Sequence, residues 1–371
     1  MLTRQGWAVV AAGVAALAVG RVFGVLELFV IGTGFLTAAV LATAYVALRR
    51  PKLDASRWIH PSMLAAGDTG RVDIRLGHRG RIPSARFLLR ERIRRSNVGE
   101  RIARLPAGPL RAGSVTTTGY QLPTSVRGTI EIGLLEAELR DPLGIASATR
   151  IVAGTDEVVI TPRTLLLDVP RLGRGALGAA LLDRARRLGP GEFHGLREYV
   201  DGDEPRSIHW RASARTDSLV VKQHTIEGLQ RCTVVFDASR SGHRDAEAFE
   251  AGVTAAASVV HTAAQAGLAT RFVTDGGVDL RGPDVVASTL RTLARATPSD
   301  VGLTGLDRDT GDGLGLLVVV TRSRSSRAWQ LVRGVTDPTS TAVAVLTGGA
   351  AGGTLDVGAT SEADFLSSWS E

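Results

Sequence analysis

The pentapeptide Asp237-Ala238-Ser239-Arg240-Ser241 sets a carboxylate and two hydroxyls at alternate positions. Hard oxygens on one short loop suit a hard cation such as Mg2+. The other concentration of polar side chains runs from His194 to Arg215. It carries Arg197, Asp203, Arg206, His209, Arg211 and Arg215 around Tyr199 and Trp210. An Arg/His/Asp set of this kind could serve a hydrolase. However, His194, His209 and His224 lack the close spacing that zinc requires, and no Ser or Cys stands in a recognisable nucleophile context. The segment reads better as a structural seam. Residues Tyr199 to Asp203 form a turn, and Asp203 caps a helix with Pro205 in its first turn. On that helix Arg206 stacks against Trp210, Arg211 and Arg215 form a second i,i+4 pair, and Trp210 is the buried anchor.

Both groups need elements to position them. Apolar runs at Cys232–Phe236, Thr270–Thr274, Gly315–Thr321 and Thr341–Leu346 alternate with helical stretches. These are Ala246–Gln265, which closes at Gly267, and Pro283–Ala296; the tail Glu362–Trp369 is also helical. Such alternation predicts a doubly wound α/β domain with a parallel sheet, over residues 228–371. Asp237 then lies just outside the carboxyl end of the first strand, where such sheets bind ligands.

Residues 51–165 read as a small all-β sandwich. Val72, Ile74 and Leu76 alternate with polar residues, and Arg86–Ile93, Thr116–Leu122, Thr129–Leu139 and Val158–Ile160 are further strands between Gly and Pro turns. Asp141-Pro142-Leu143-Gly144 is a turn before the last strands. Residues 166–227 form a connecting arm followed by the polar segment above, with little periodicity up to residue 190.

Residues 1–50 contain two apolar runs, Gly6–Gly20 and Val25–Leu48, separated by Arg21-Val22-Phe23-Gly24. The second spans a bilayer with ease, and the pair reads as a transmembrane helical hairpin. The first run alone resembles a signal peptide, but a longer apolar run follows it instead of a polar domain. Arg4 before the first run and Arg49, Arg50 and Lys52 after the second favour a cell-membrane protein with its main body in the cytoplasm. The single cysteine, Cys232, excludes an intramolecular disulfide. The formal charge of +7 comes almost wholly from Arg and shows neither a basic tail nor a basic patch interleaved with aromatics. That argues against nucleic acid and for a membrane surface or an acidic protein partner.

Two resemblances carry the functional expectation. The Asp237-x-Ser239-x-Ser241 pattern resembles the metal-ion-dependent adhesion site of von Willebrand factor A domains. That family adds a Thr and an Asp from later loops. Here the fourth strand ends Val320-Thr321-Arg322-Ser323 without an acid, and Arg240 and Arg322 bring positive charge nearby. The loop is therefore either a Mg2+ site or the vestige of one. The run containing Leu196, Arg197, Tyr199, Gly202, Asp203, Arg206, Ile208, Trp210, Ala214 and Arg215 resembles the signature of the domain of unknown function 58 family. That resemblance implies a membrane-anchored adaptor or scaffold, working with a MoxR-type AAA+ ATPase in assembly or maturation of other proteins. The alternative is a hydrolase using the 194–215 set.

Overall fold

The two apolar runs become two helices, α1 (Arg4–Phe23) and α2 (Leu26–Leu48), each long and apolar enough to cross a membrane. Gly24 turns the chain between them in the left-handed conformation, at φ 67. The helices meet where side chains are absent. A Cβ on Gly32 would lie 2.8 Å from the Gly13 carbonyl, so only glycine permits this approach. This computed structural model describes residues 1–371 except 62, 96–98, 188–192, 202–204, 206–207, 216–217, 225–228, 308–313, 350–351, 354 and 371. The chain divides into two units, Met1–Thr161 and Pro162–Glu371.

After the hairpin the first unit is all β. Its strands are β1 (Leu53–His60), β2 (Leu64–Ala65), β3 (Arg71–His78), β4 (Phe87–Arg95), β5 (Gly99–Ala107), β6 (Val115–Gln121), β7 (Gly128–Arg140), β8 (Ser147–Ala153) and β9 (Asp156–Thr161). One sheet has the order β1-β3-β6. The other runs β2-β9-β7-β4-β5, with β8 also on β7. Val72, Ile74 and Leu76 share one core with Leu89, Ile93, Ile130 and Ile132 of the facing sheet. Ala39, Ala42 and Val46 of α2 join that core.

The strict alternation along β4 points Phe87, Leu89, Glu91 and Ile93 inward. Glu91 is thus buried, and its charge is met by the buried guanidinium of Arg57, which also pairs with Asp156. Arg57 Nη2 further donates to the carbonyls of Gly133 and Gly154 at 3.1 Å. Tyr120 donates its hydroxyl to Glu91 Oε2 at 2.5 Å. Burial, and then the adjacent Glu91, push the Tyr120 hydroxyl pKa well above its ordinary value.

The Asp141-Pro142-Leu143-Gly144 turn has a second task. Asp141 is buried and accepts from the Leu143 and Ala146 amides. The carbonyls of Gly144 and Ile145 accept from Thr3 Oγ1 at 2.6 and 3.1 Å, and Ile145 also accepts from the Thr3 amide at 2.9 Å. The same Oγ1 accepts from the Gly6 amide and caps α1. A Cβ on Gly6 would stand 2.0 Å from the Ile145 carbonyl oxygen.

The second unit begins with α3 (Gly175–Arg187), inside the stretch read as an arm. It buries Gly178, Leu181 and Ala185, and Arg184 donates to the carbonyls of Asp337 and Ser340. Its apolar stripe consists largely of Gly and Ala, which obscured the period. Then come β10 (Phe193–Glu198), the short α4 (Trp210–Ser213) and β11 (Val220–His224), with β10 and β11 antiparallel.

The α/β part follows as β12 (Leu229–Phe236), α5 (Ala246–Gln265), β13 (Ala269–Thr274), β14 (Val278–Leu280), α6 (Val285–Arg295), β15 (Leu314–Thr321), α7 (Arg327–Val335), β16 (Ser340–Leu346), β17 (Asp356–Gly358) and α8 (Glu362–Ser370). The sheet order is β14-β13-β12-β15-β16-β17, parallel except at β14. Every residue of β15 is buried, as a central strand covered on both faces requires. Val234, Phe236, Val318 and Val320 face α5, α6 and α8, whereas Val235, Leu317 and Val319 face Trp329 and Val332 of α7.

Candidate functional site

Asp237 directly follows β12, and its amide continues the ladder by donating to the Val320 carbonyl at 3.0 Å. The residue is buried at 4% exposure. Ser239 donates to Asp237 Oδ1 from Oγ at 2.6 Å and from the amide at 3.2 Å. Thr321, at the end of β15, donates from Oγ1 to Oδ2 at 2.8 Å. Ser241 Oγ lies 3.3 Å from Ser239 Oγ. One carboxylate and three hydroxyls therefore converge at the carboxyl ends of the two central strands. Asp237, Ser239 and Ser241 border a cleft of about 1000 Å3, which is also lined by Asp300, Arg322 and Ser323, while Thr321 is fully buried.

Two neighbours hold this group in place. A Cβ on Gly242 would sit 2.6 Å from Asp237 Cγ, so the loop closes over the carboxylate only because residue 242 has none. His243 is buried and donates from Nε2 to the Asp237 carbonyl at 2.6 Å. Its Nδ1 accepts from Thr347 Oγ1 at 3.0 Å. Its ring packs against Phe236 and Phe249. Burial lowers the His243 pKa, consistent with a neutral ring that ties the end of β12 to the residue after β16.

A second acid comes from β13. Asp275, 9% exposed, accepts from the Ala238 amide at 3.3 Å, and its Oδ2 is buried without a hydrogen-bond partner among the described residues. Burial, and next the charge of Asp237, push its pKa up to about 6. Asp275 directly follows β13. The rule that ligands gather at the carboxyl ends of parallel strands, applied to β13 as well as β12, would have singled it out. His243 gave no such signal, because its partners are far away in sequence.

The carboxylate and hydroxyl oxygens fit a hard divalent cation in type. Among the described residues no group of three or more His, Cys, Asp or Glu could hold a metal by itself. Arg322 and Arg240 both line this cleft, and Arg240 is met there by a carboxylate. Its Nε donates to Asp300 Oδ1 at 3.0 Å on the exposed rim, because the Ser299 carbonyl holds the Arg240 amide and turns the side chain outward.

The 194–215 set behaves differently. Asp203 and Arg206 lie outside the described residues, as do the side chains of His194 and His224. Exposed Arg197 donates to the Glu198 carbonyl at 3.0 Å, and the Tyr199 amide to the Leu219 carbonyl at 2.7 Å. The expected cap at Asp203 lies outside the described residues; the described helix is capped by His209, whose Nδ1 accepts from the Ala212 amide at 3.0 Å. The helix ends at Ser213, so Arg215 is not on it, and the i,i+4 pairing expected with Arg211 has no helix to support it. Among the described residues of this segment Ile208 is the buried one, and it bridges to Val221.

Trp210, expected as the buried anchor, is 66% exposed at the first position of α4. Replacing Trp210 with Ala should accordingly change stability by no more than about 0.5 kcal/mol. A loss of several kcal/mol in thermal unfolding would restore the anchor reading.

Residues 195–314 match a family model described as Protein of unknown function DUF58. The match takes in Arg197, Trp210, Arg215, Asp237, Ser239, Ser241 and Asp275. No curated protein matches the chain. Among solved structures, a mutant beta-glucosidase from Listeria innocua in complex with laminaribiose is 13% identical over 28% of this chain and 16% of its own, at TM-score 0.20. A GH3 beta-glucosidase from Bifidobacterium adolescentis is 10% identical over 32% of this chain and 19% of its own, at TM-score 0.22. The alkylpurine DNA glycosylase AlkC of Pseudomonas fluorescens is 13% identical over 32% and 37%, at TM-score 0.20. The chain thus spans less than a fifth of either glucosidase, and likenesses this slight bear on neither fold nor chemistry.

Proposed function

We propose that the chain is a membrane-anchored adaptor whose α/β unit binds an acidic group of a protein partner through a divalent cation at Asp237, Ser239, Ser241 and Thr321. The observation that carries this reading is the buried Asp237 carboxylate, which accepts from the Ser239 and Thr321 hydroxyls, with Ser241 Oγ beside Ser239 at the edge of a cleft. Such a set leaves the cation short of negative charge, which an acid from the partner supplies. A von Willebrand factor A-like fold is supported by the strand order. Numbered along the chain from β12, it reads 3-2-1-4-5-6 with the third strand antiparallel. The hairpin is the anchor, and the basic residues at its two ends favour a cytoplasmic body. The DUF58 similarity suggests a MoxR-type AAA+ ATPase as the partner and assembly or maturation of other proteins as the process.

Mg2+ or Mn2+ should raise the melting temperature, since a ligand of the folded state stabilises by about 2.7 kcal/mol at a hundredfold excess over Kd. Asp237→Ala should abolish the response. The same substitution, or a chelator, should release the protein that co-purifies with the full chain from membranes. No response to either cation, with an unchanged set of co-purifying proteins, would overturn the proposal.

A further inference from the structure

The foot of the hairpin is fixed to the sandwich with little slack. Only residues 49–52 separate α2 from β1, a reach of at most about 14 Å. Arg49 Nη1 donates to the Pro83 carbonyl at 3.3 Å, and the Arg79 amide donates to the Lys52 carbonyl at 2.8 Å. The loop from Arg79 to Pro83 therefore sits beside the end of α2. It is a built loop: buried His78 donates from Nε2 to the Ile82 carbonyl at 2.9 Å, and the Ser84 amide donates to the Leu110 carbonyl. At the start of α1, Thr3 holds the turn that carries Leu143.

What these loops present is unusual for a surface meant only for water. Ile82 is 62% exposed and Leu143 69%, beside Leu48, the last residue of α2, at 81%. Around them Arg49, Arg50, Lys52 and Arg81 are exposed, with no acidic partner among the described residues. The nearby acid Asp54 is taken by Arg79. Apolar tips ringed by cations match the layered chemistry of a bilayer interface, acyl chains below and phosphates above.

We propose that this end of the sandwich is a second membrane contact, in which Ile82 and Leu143 enter the headgroup–acyl boundary while Arg49, Arg50, Lys52 and Arg81 bind anionic phospholipid headgroups. The proposal rests on the reading of α1 and α2 as a membrane hairpin. It adds that the sandwich lies on the leaflet and is not held clear of it.

Cys232 is 1% exposed, so thiols introduced on the surface can be labelled selectively. The full chain, with Ile82→Cys, Leu143→Cys or Met63→Cys carrying an environment-sensitive fluorophore, is reconstituted in phosphatidylglycerol–phosphatidylcholine vesicles. Met63 is 63% exposed beyond the far end of β1, about 25 Å from Lys52. Probes at 82 and 143 should shift to the blue and be quenched by headgroup-proximal nitroxide lipids, and the probe at 63 should not. Quenching at 82 should fall severalfold in pure phosphatidylcholine, and likewise with Lys52→Glu and Arg81→Glu combined. Vesicle-bound protein whose three probes all report water overturns the proposal. Equal quenching at 82 in both lipids overturns the anionic assignment. A chain that fails to float with vesicles overturns the hairpin reading itself.

Discussion

Arg57→Met should destabilise the protein by about 3–5 kcal/mol, the cost of stranding a buried charge. The charge left behind is Glu91, whose side chain is 1% exposed and whose remaining contact would be the Tyr120 hydroxyl. Adding Glu91→Leu should restore most of the loss, since a buried ion pair and an apolar replacement are often close in energy. The contrast lies on the surface, where Arg94 and Glu131 form a pair with both side chains more than half exposed. Removing that pair should cost about 0–1 kcal/mol. Denaturant unfolding of the detergent-solubilised full chain reads all of these. A loss below about 1 kcal/mol for Arg57→Met, or a double variant no better than the single, would show that Glu91 finds other compensation.

Asp275→Asn should stabilise the protein at pH 8 in metal-free buffer, by about 2 kcal/mol, and destabilise it by up to about 1 kcal/mol at pH 4. The folded-state pKa of Asp275 stands at about 6, against an ordinary value of 3.8. Between those values the folded chain holds a proton that the unfolded chain has released. Stability therefore falls as pH rises from about 4 to about 6, and the whole penalty is present above that window. Two pKa units correspond to roughly 3 kcal/mol. Asn keeps the acceptor for the Ala238 amide and carries no charge, while its buried amide gives back about 1 kcal/mol. Urea midpoints across pH 4–8 measure the effect. An Asn variant no more stable than its parent at pH 8 would mean that Asp275 ionises without strain.

The elements most legible in the sequence are those whose burial is one-sided or complete. β15 is buried throughout and reads as a continuous apolar run, and the ends of α5 fall where its composition changes. β5 escaped notice because it is an edge strand: GERIARLPA is mostly exposed, so no apolar alternation is imposed on it. α7 was missed although Ala328, Trp329 and Val332 make an amphipathic stripe behind the Ser326 cap. It is only nine residues long and contains Gly334. The alternation along β4 already pointed Glu91 inward, but its partner Arg57 lies on another strand and could not be read locally. The site divides in the same way. Asp237, Ser239 and Ser241 share one loop and were visible. Asp275 and His243 join through contacts that only the folded sheet creates.

The bond from Thr321 to Asp237 spans 84 residues of sequence. Closing a loop of that length costs chain entropy, which the central strand pair must offset before the site exists. At synthesis rates of about 5–20 residues per second, Asp237 leaves the ribosome roughly 4 to 17 seconds before Thr321. During that interval the loop Asp237–Ser241 lacks the hydroxyl that fixes Oδ2. If the proposed reading holds, a partner that recognises the assembled oxygens would engage the chain only after β12 and β15 have paired.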